Sequence, residues 1–485
     1  MKYHIVTLGC QMNKSDSERV STVIENMGYC WTEKEEEADL LGVIACSVRQ
    51  KAIDKVYTKI SKWNRWKDSR NLVTFVSGCV LPADREKFLH LFDLIFQISE
   101  LVQFPEMMRQ YGVVTPYALR SEDRISVTED IVPSNTHDFR KVILDHGRTA
   151  IVGQPVMMKQ PEKRISSFWN IQPHYKSGFE AFIPIQNGCD KFCTFCAVPY
   201  TRGREISRPS KEIIDEVKKL VEKGYKSITL LGQNVNSYGK DRWGDEISFT
   251  ALLEKIGEYG NESGKDFWIY FTSPHPRDMG DDVIDVIRKY KSLAKQIHLP
   301  LQSGDDKLLI KMNRNHSLKD YMRIIDAIRT KLPDATLFTD IIVGFSGETE
   351  EQFQNTFKAM DNIRFNMAYI ARYSPRPGAA SSRWDDDVSH PVKKTRLHSL
   401  SNLLQKHSLE LNSKMVGSAY KVLVTGHDRK GGYLTGLTEG RIIVRFPSDD
   451  KTLTGKFVDV KITSAADFAI EGELIRIYTG EMAQA

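Results

Sequence analysis

The chain has 485 residues, 41% of them apolar, and a formal net charge of +5. That length predicts two to four domains, and no stretch approaches the roughly 18 consecutive apolar residues of a membrane span. Residues 1–9 carry neither a long apolar run nor a cleavage site, which argues against a secretory signal and gives the expectation of a cytoplasmic protein. The mild positive charge permits a nucleic-acid partner without requiring one.

The first 115 residues alternate between apolar runs and helical patterns. Strands are predicted at 3–8, 39–45, 72–77 and 93–98, with helices at 16–27 and 51–67. Strands separated by helices of this length argue for an open parallel α/β sheet. The stretch 51–70 holds Lys51, Lys55, Lys59, Lys62, Arg65, Lys67 and Arg70 with Trp63 and Trp66 among them. That composition suits phosphate contact and base stacking, and suits a solvated helix face equally well. Cys10, Cys46 and Cys79 each directly follow the apolar run of a predicted strand. The carboxyl ends of parallel strands share one edge, where ligands bind, so these three residues can meet there. Cys30 follows a helix and fits a core or surface thiol.

Periodicity weakens over 118–177, where Pro133, Pro155, Pro161 and Pro173 interrupt it, and an irregular linker or insertion is expected. From 178 to 412 the alternation returns with a longer period. Strands are predicted at 181–185, 227–231, 267–271, 296–299, 336–343 and 367–371, with helices such as 211–223 and 318–331 between them. This pattern predicts a partial (β/α)6 barrel with its site at the carboxyl ends of the strands. Residues 413–480 change character again. Short strands at 420–425, 441–446 and 457–462, separated by Gly and Asp turns, predict a small all-β barrel of oligonucleotide-binding type; a β-domain used only for packing is the plain alternative. The fold class is thus α/β multidomain, with domains at 1–117, 178–412 and 413–480 around the 118–177 segment.

Seven cysteines are an odd number, and a reducing compartment disfavours disulfides, so closely spaced cysteines point to metal. The sharpest signal is Cys189-Asp-Lys-Phe-Cys193-Thr-Phe-Cys196, just after the first barrel strand. Three thiolates on one loop can hold three irons of a four-iron cluster. The bacterial ferredoxin pattern needs a fourth Cys, and none lies nearby, so one iron stays open to an outside ligand. A structural zinc site wants four closed ligands and fits poorly.

This spacing resembles the radical S-adenosylmethionine superfamily. The resemblance implies that the open iron chelates the methionine end of S-adenosylmethionine, and that one electron breaks a carbon–sulfur bond to give a 5′-deoxyadenosyl radical. Further motifs resemble the methylthiotransferase family, and within it the tRNA enzymes of MiaB type. These are Thr7-Leu8-Gly9-Cys10-Gln11-Met12-Asn13 with Asp16-Ser17-Glu18, Cys46-Ser47-Val48-Arg49 with Lys51-Ala52, and Ser77-Gly78-Cys79. The family pattern continues in Val198-Pro199-Tyr200-Thr201-Arg202-Gly203-Arg204-Glu205 with Ser207-Arg208, and in Leu231-Gly232-Gln233-Asn234-Val235-Asn236-Ser237-Tyr238-Gly239. It continues again in His298-Leu299-Pro300-Leu301-Gln302-Ser303-Gly304, Met312-Asn313-Arg314, Gly344-Phe345 with Gly347-Glu348-Thr349, and Tyr373-Ser374-Pro375-Arg376-Pro377-Gly378. The terminal barrel resembles the TRAM domain, which binds RNA in this family.

By that resemblance Cys10, Cys46 and Cys79 hold a second [4Fe-4S] cluster, and Cys189, Cys193 and Cys196 the first. The cofactors are then two clusters and S-adenosylmethionine. The activity implied is radical methylthiolation of carbon 2 of N6-isopentenyl-adenosine at position 37 of tRNA. An electron donor such as a flavodoxin or ferredoxin, no membrane partner, and a monomer are further expectations. Gln233, Asn234, Gln302 and Ser303 end barrel strands and are candidates to contact S-adenosylmethionine, with barrel packing the equal alternative. Arg202, Arg204 and Arg208 are candidates for substrate or RNA phosphate, or are surface charges. Phe192 and Phe195 are expected to shield the cluster from water, which affects its potential. His298 is expected to be a satisfied core histidine.

Three departures from the family pattern stand out. Ile44 and Ala45 precede Cys46 where the family usually has Asn-Thr, Ser346 stands where it usually has Pro, and the 118–177 segment is longer. None removes a ligand; they bear on substrate choice. The same chemistry on threonylcarbamoyl-adenosine of tRNA, or on an aspartate of a ribosomal protein, is the nearest rival reading. Gln11-Met12-Asn13 favours the isopentenyl-adenosine type. A non-catalytic RNA-binding protein with structural metal would leave the C-x3-C-x2-C loop unexplained, and an electron-transfer protein would leave the open iron and the chain length unexplained.

Overall fold

Alternation of apolar runs and helices near the N-terminus builds a seven-stranded sheet in the order β2-β1-β3-β4-β5-β7-β6. Its strands are β1 (Lys2–Thr7), β2 (Cys30–Trp31), β3 (Leu40–Cys46), β4 (Val73–Cys79), β5 (Leu94–Ile95), β6 (Phe139–Ile143) and β7 (Thr149–Gly153). The structure is a computed structural model that describes residues 1–46, 50–113, 139–143, 149–153 and 161–478. All pairings in the sheet are parallel except β6 with β7. β3 is buried along its whole length, as a central strand covered on both faces should be. The covering helices are α1 (Gln11–Asn26), α2 (Gln50–Trp66), α3 (Pro82–Leu89), α4 (Phe104–Tyr111) and α5 (Pro161–Trp169). Ile53, Val56, Ile60 and Trp63 recur at helical spacing along α2 and enter the core on one side, with Leu41, Val43 and Val76. On the other side Val20 and Ile24 of α1 pack with Phe75, Phe96 and Phe104.

The sequence reading differs from this sheet in three places. The strand expected over 93–98 is only two residues long, because a capping box between Gln97 and Glu100 turns the chain into a 3-10 segment. The helix expected from residue 16 begins at Gln11, with Cys10 as its N-cap. Two strands of the 118–177 stretch, β6 and β7, join the sheet, and β7 pairs with β5. Ser47, Val48 and Arg49 of the second cysteine motif, and Pro133 and Pro155, lie outside the described residues.

The chain divides into two units: 1–176 with 186–208 and 376–382, and 177–185 with 209–375 and the residues from 383 onward. The second unit holds the partial barrel. β8 (Glu180–Pro184), β11 (Ser227–Leu231) and β12 (Trp268–Phe271) form one parallel set, in the order β12-β11-β8. β13 (Gln296–His298), β14 (Thr336–Val343) and β15 (Met367–Arg372) form the other. Backbone hydrogen bonds from Ile269 to Ser292 and from Ala294 to Ile269 carry the sheet across between them. The helices are α7 (Ser210–Glu222), α8 (Phe249–Ser263), α9 (Asp281–Lys289), α10 (Asp306–Lys311), α11 (Leu318–Lys331) and α12 (Glu350–Ile363), followed by the long α13 (His390–Ser413). Ser317 and Thr349 close capping boxes at the starts of α11 and α12, fixing where each helix leaves its loop.

The closed C-terminal barrel runs β16 (Ala419–His427), β17 (Tyr433–Thr438), β18 (Ile443–Pro447), β20 (Ala469–Ile477), β19 (Phe457–Ala465). Val422, Val424, Leu434, Val444, Phe446, Val458, Val460 and Ile470 fill it. Of these strands the sequence pattern missed β17 and β20. Leu434, Gly436 and Thr438 of β17 do alternate inward, but Gly436 breaks the apolar signal. A Cβ there would lie 2.5 Å from Val422. Among the described residues, no helix is long and apolar enough to cross a membrane.

Candidate active site

Parallel pairing brings the first cysteine trio together. Cys46 and Cys79 end β3 and β4 in direct register, and Cys10 opens α1 at the same edge of the sheet. Gly9, at φ +128°, lies so close to Cys46 that a Cβ on it would sit 2.7 Å from the Cys46 Cβ. Asn13 is buried one turn into α1. Its amide donates to the Ala45 carbonyl at 2.7 Å, and its Oδ1 lies 3.5 Å from the Cys10 sulfur. One side chain therefore ties the Cys10 turn to the end of β3. Burial pushes the Cys79 thiol up to about 12; Arg202 opposes that push, and Cys46 and Cys10 add to it. A thiol in that setting keeps its proton until a metal displaces it.

The second trio sits on the loop between β9 (Gln186–Asn187) and α6 (Val198–Arg202). A short antiparallel ribbon of β9 with β10 (Ile206–Ser207) closes the base of this loop. Cys196 N–H donates to the Cys193 carbonyl at 2.9 Å, Cys189 N–H to Gly203 at 3.2 Å, and Ser381 N–H to Thr194 at 2.9 Å. Cys189 is buried and Cys193 and Cys196 half-buried. Burial pushes the Cys189 thiol up to about 12, opposed by the backbone N–H of Lys191 and reinforced by Cys196 and Cys193. Gly188 adopts φ +78°, and a Cβ there would lie 1.9 Å from the Arg204 carbonyl oxygen. Gly188→Ala is therefore expected to displace the loop at a cost of at least about 1–3 kcal/mol. Faster proteolytic nicking between residues 189 and 203 would register it; wild-type resistance would contradict it.

Both trios fit iron–sulfur cubes in their donor chemistry: soft thiols, no competing carboxylate among the three, and small residues where the backbone must approach closely. Among the described residues, no three Cys, His, Asp or Glu side chains converge as ligands of a single ion. A cube instead takes each thiolate on a different iron.

Arg202 is neither a surface charge nor a phosphate contact. It is buried, with its guanidinium paired to Asp16 at 2.5 Å, donating to the Cys79 sulfur at 3.0 Å and to Asn187 Oδ1 at 3.2 Å. Burial disfavours its charge, but Asp16 and Cys79 more than restore it, so its pKa is raised. Arg204 is exposed and pairs with Asp190 at 2.7 Å; Arg208 is buried. Phe192 is 40% exposed, with Arg204 over its ring, and Phe195 is half-buried; Phe192 thus screens the loop less than the sequence reading has it. Part of the basic stretch is neutralised by acids from neighbouring segments. Lys59 pairs with Glu35, Lys62 with Glu36, and Lys67 with Asp93. Trp63 is buried and donates to Glu35, and Trp66 lies beneath Lys62 and Arg70. This geometry favours the solvated-face reading over base stacking.

In the second unit, Gln233 and Asn234 lie just past β11. Gln233 Oε1 and Asn234 Oδ1 are buried acceptors without a hydrogen-bond partner, while the Asn234 amide donates to Asp278 at 3.1 Å. Buried acceptors of this kind are normally met by a donor, from an ordered water or from a ligand. Gln302 adopts φ +69° and exchanges backbone hydrogen bonds with Asp340 and Ile342 of β14. Ser303 is buried, its hydroxyl 3.3 Å from Thr356 and accepting from Asp305 N–H, so it is engaged in packing. His298 is half-buried, 3.0 Å from the Asp340 carboxylate, as a satisfied histidine should be. Sequence reasoning quoted Asn13 and Asp16 within the opening motif without giving either a role, and it did not single out Asn187. For the first two, the available signal was a helix start crowded with polar residues directly after a cysteine, most of which are buried, Lys14 and Gln11 excepted.

Three family models match the chain: an uncharacterized protein family, UPF0004, over residues 2–98, the radical SAM superfamily over 183–360, and the TRAM domain over 413–475. A tRNA-2-methylthio-N(6)-dimethylallyladenosine synthase of Thermoanaerobacter pseudethanolicus is 39% identical, covering 98% of this chain and 93% of that one. The synthase of Dictyoglomus thermophilum is 36% identical over 98% and 99%, and that of Yersinia enterocolitica 36% over 98% and 92%. Among solved structures, a radical S-adenosylmethionine methyltransferase of Kitasatospora setae, with cobalamin and a [4Fe-4S] cluster bound, aligns with a TM-score of 0.42 at 12% identity. It covers 76% of this chain and 72% of its own.

Proposed function

Since this chain belongs to the radical S-adenosylmethionine methylthiotransferases, in the family of the tRNA-2-methylthio-N(6)-dimethylallyladenosine synthases, we infer that it methylthiolates carbon 2 of N6-isopentenyl-adenosine at position 37 of tRNA. The observation that carries this reading is 36–39% identity to such synthases over 98% of the chain. The enzyme is a radical S-adenosylmethionine methylthiotransferase that uses a [4Fe-4S] cluster and S-adenosylmethionine, and its substrate is tRNA.

The finer proposal is two clusters with separate tasks, one on Cys189, Cys193 and Cys196 and one on Cys10, Cys46 and Cys79. When bound, the first supplies the electron that cleaves S-adenosylmethionine, and the second carries the sulfur to be inserted. The reaction class needs such chemistry because carbon 2 of adenine carries an unactivated C–H bond that acid–base catalysis does not replace. The protein's own part is binding and orientation. Gly188 and Gly9 allow close backbone approach at the two cysteine turns, and Asn13 locks the Cys10 turn to β3. Gln233 and Asn234 offer buried acceptors suited to the donor groups of S-adenosylmethionine. The domains proposed are 1–117, 178–412 and 413–480, the chain acting as a monomer that takes electrons from a flavodoxin or ferredoxin.

Nucleoside mass spectrometry of tRNA from cells with and without the protein tests the activity. Loss of methylthio-isopentenyl-adenosine, with isopentenyl-adenosine accumulating, is expected. An unchanged methylthio peak would overturn the substrate assignment.

A further inference from the structure

Arg202 ends α6 on the loop that carries the Cys189 trio, yet its guanidinium reaches the Cys79 sulfur of the other trio, 123 residues earlier in the chain. The ion pair with Asp16 alone does not explain this contact. A lysine would satisfy that carboxylate from a single point, whereas the planar fork of an arginine holds donors toward three separate partners in one fixed plane. Asn187 holds the fork in plane, accepting from Nη1 at 3.2 Å while its own amide donates to the Arg202 carbonyl at 2.9 Å. Asp16 takes Nη2 at 2.5 Å, and Nε is left aimed at sulfur at 3.0 Å. The whole group is removed from water: Asp16 is 0% exposed and Arg202 9%.

We propose that Arg202 is a positioning residue for the cluster on Cys10, Cys46 and Cys79: its Nε–H bonds the Cys79 sulfur and raises the reduction potential of that cluster. The inference rests on the two-cluster reading above. Hydrogen bonds to cluster sulfurs and nearby charge are main determinants of cluster potentials. A cationic donor stabilises the reduced, more negative state; the Asp16 carboxylate, which also acts on Cys79, offsets part of the charge, and the Nε–H bond to the sulfur carries the rest.

The test is an EPR-monitored redox titration of the anaerobically reconstituted full chain, wild type against the double variant Arg202→Gln/Asp16→Asn, which removes both charges together. The cysteine-trio variants assign the two signals. The signal lost with Cys10, Cys46 and Cys79 should move to lower potential by about tenfold in the reduction equilibrium, ~59 mV for one electron. The signal of the Cys189 trio should stay. An unmoved second signal overturns the inference, and so does loss of that cluster alone, which would make Arg202 a building element instead. A second measurement uses 15N only in arginine: pulsed EPR of the reduced Cys10/Cys46/Cys79 cluster should show a coupled nitrogen that disappears in the Arg202→Gln/Asp16→Asn variant. Arg376, which also lies near Cys46, is unchanged in that variant, so a coupling that persists, or none in the wild type, overturns the inference. Wild-type protein binding only about four irons would instead sink the two-cluster reading, and iron analysis reports that independently of Arg202.

Discussion

Replacing Cys193 with alanine is expected to abolish release of 5′-deoxyadenosine, whereas Cys46→Ala should spare that release and stop methylthiolation. Each trio has no spare thiol. The seventh cysteine, Cys30, is exposed on the short edge strand β2, away from the carboxyl-end edge that carries Cys46 and Cys79. Loss of an outer-shell partner alone typically costs about 10–100-fold in metal affinity or activity, so loss of a ligand should cost at least ~100-fold. The two variants differ because Cys193 sits on the β9–α6 loop and Cys46 at the end of β3, on separate backbone scaffolds. Chromatography of 5′-deoxyadenosine under dithionite and mass spectrometry of the tRNA product read the two steps apart. A Cys46→Ala enzyme that still methylthiolates at the wild-type rate would end the two-cluster assignment.

Asp16→Ala is expected to destabilise the first unit by about 3–5 kcal/mol, because it strands the Arg202 cation in a buried site. An exposed pair would cost only about 0–1 kcal/mol, so the magnitude itself reports burial. The two-unit chain need not unfold in one step, so hydrogen exchange of the α1 amides is the suitable readout. The double variant Asp16→Ala/Arg202→Met should recover most of the loss, since apolar replacement of a whole buried pair is often neutral. A single variant that exchanges like the wild type, or a double variant no better than the single, would contradict the assignment of a buried pair.

The sequence made the strands and cysteines readable because both depend on local pattern. Apolar runs announce β1, β3, β4, β11 and β14, and a cysteine directly after such a run falls at the sheet edge by geometry alone. The Cys189 loop is legible for the same reason, all its donors lying within eight residues. What stayed hidden depends on partners far away in the chain. Arg202 and Asp16 are 186 residues apart, and each alone looks like an ordinary polar residue. Trp63 and Trp66 look like stacking platforms in a basic stretch, until Glu35 and Glu36 neutralise the lysines around them. β6 and β7 lack a clean alternation, since Arg140 and Lys141 interrupt one and Gly153 ends the other. Their pairing is set by the sheet they join.

The loop between β17 and β18 also meets the central barrel. Glu439 accepts from Lys295 N–H and Gly440 from the Thr336 hydroxyl, both at the entry to barrel strands. Arg441 lies over Tyr270 and donates to Thr229, and Phe457 packs edge-on against Trp268. The C-terminal β-module is thus a stopper seated in the floor of the catalytic barrel. Truncating it would uncork Trp268 and Tyr270 to water as well as removing the TRAM domain. A dead truncation mutant would therefore not by itself report on RNA affinity, because the barrel loses its packing partner at the same time.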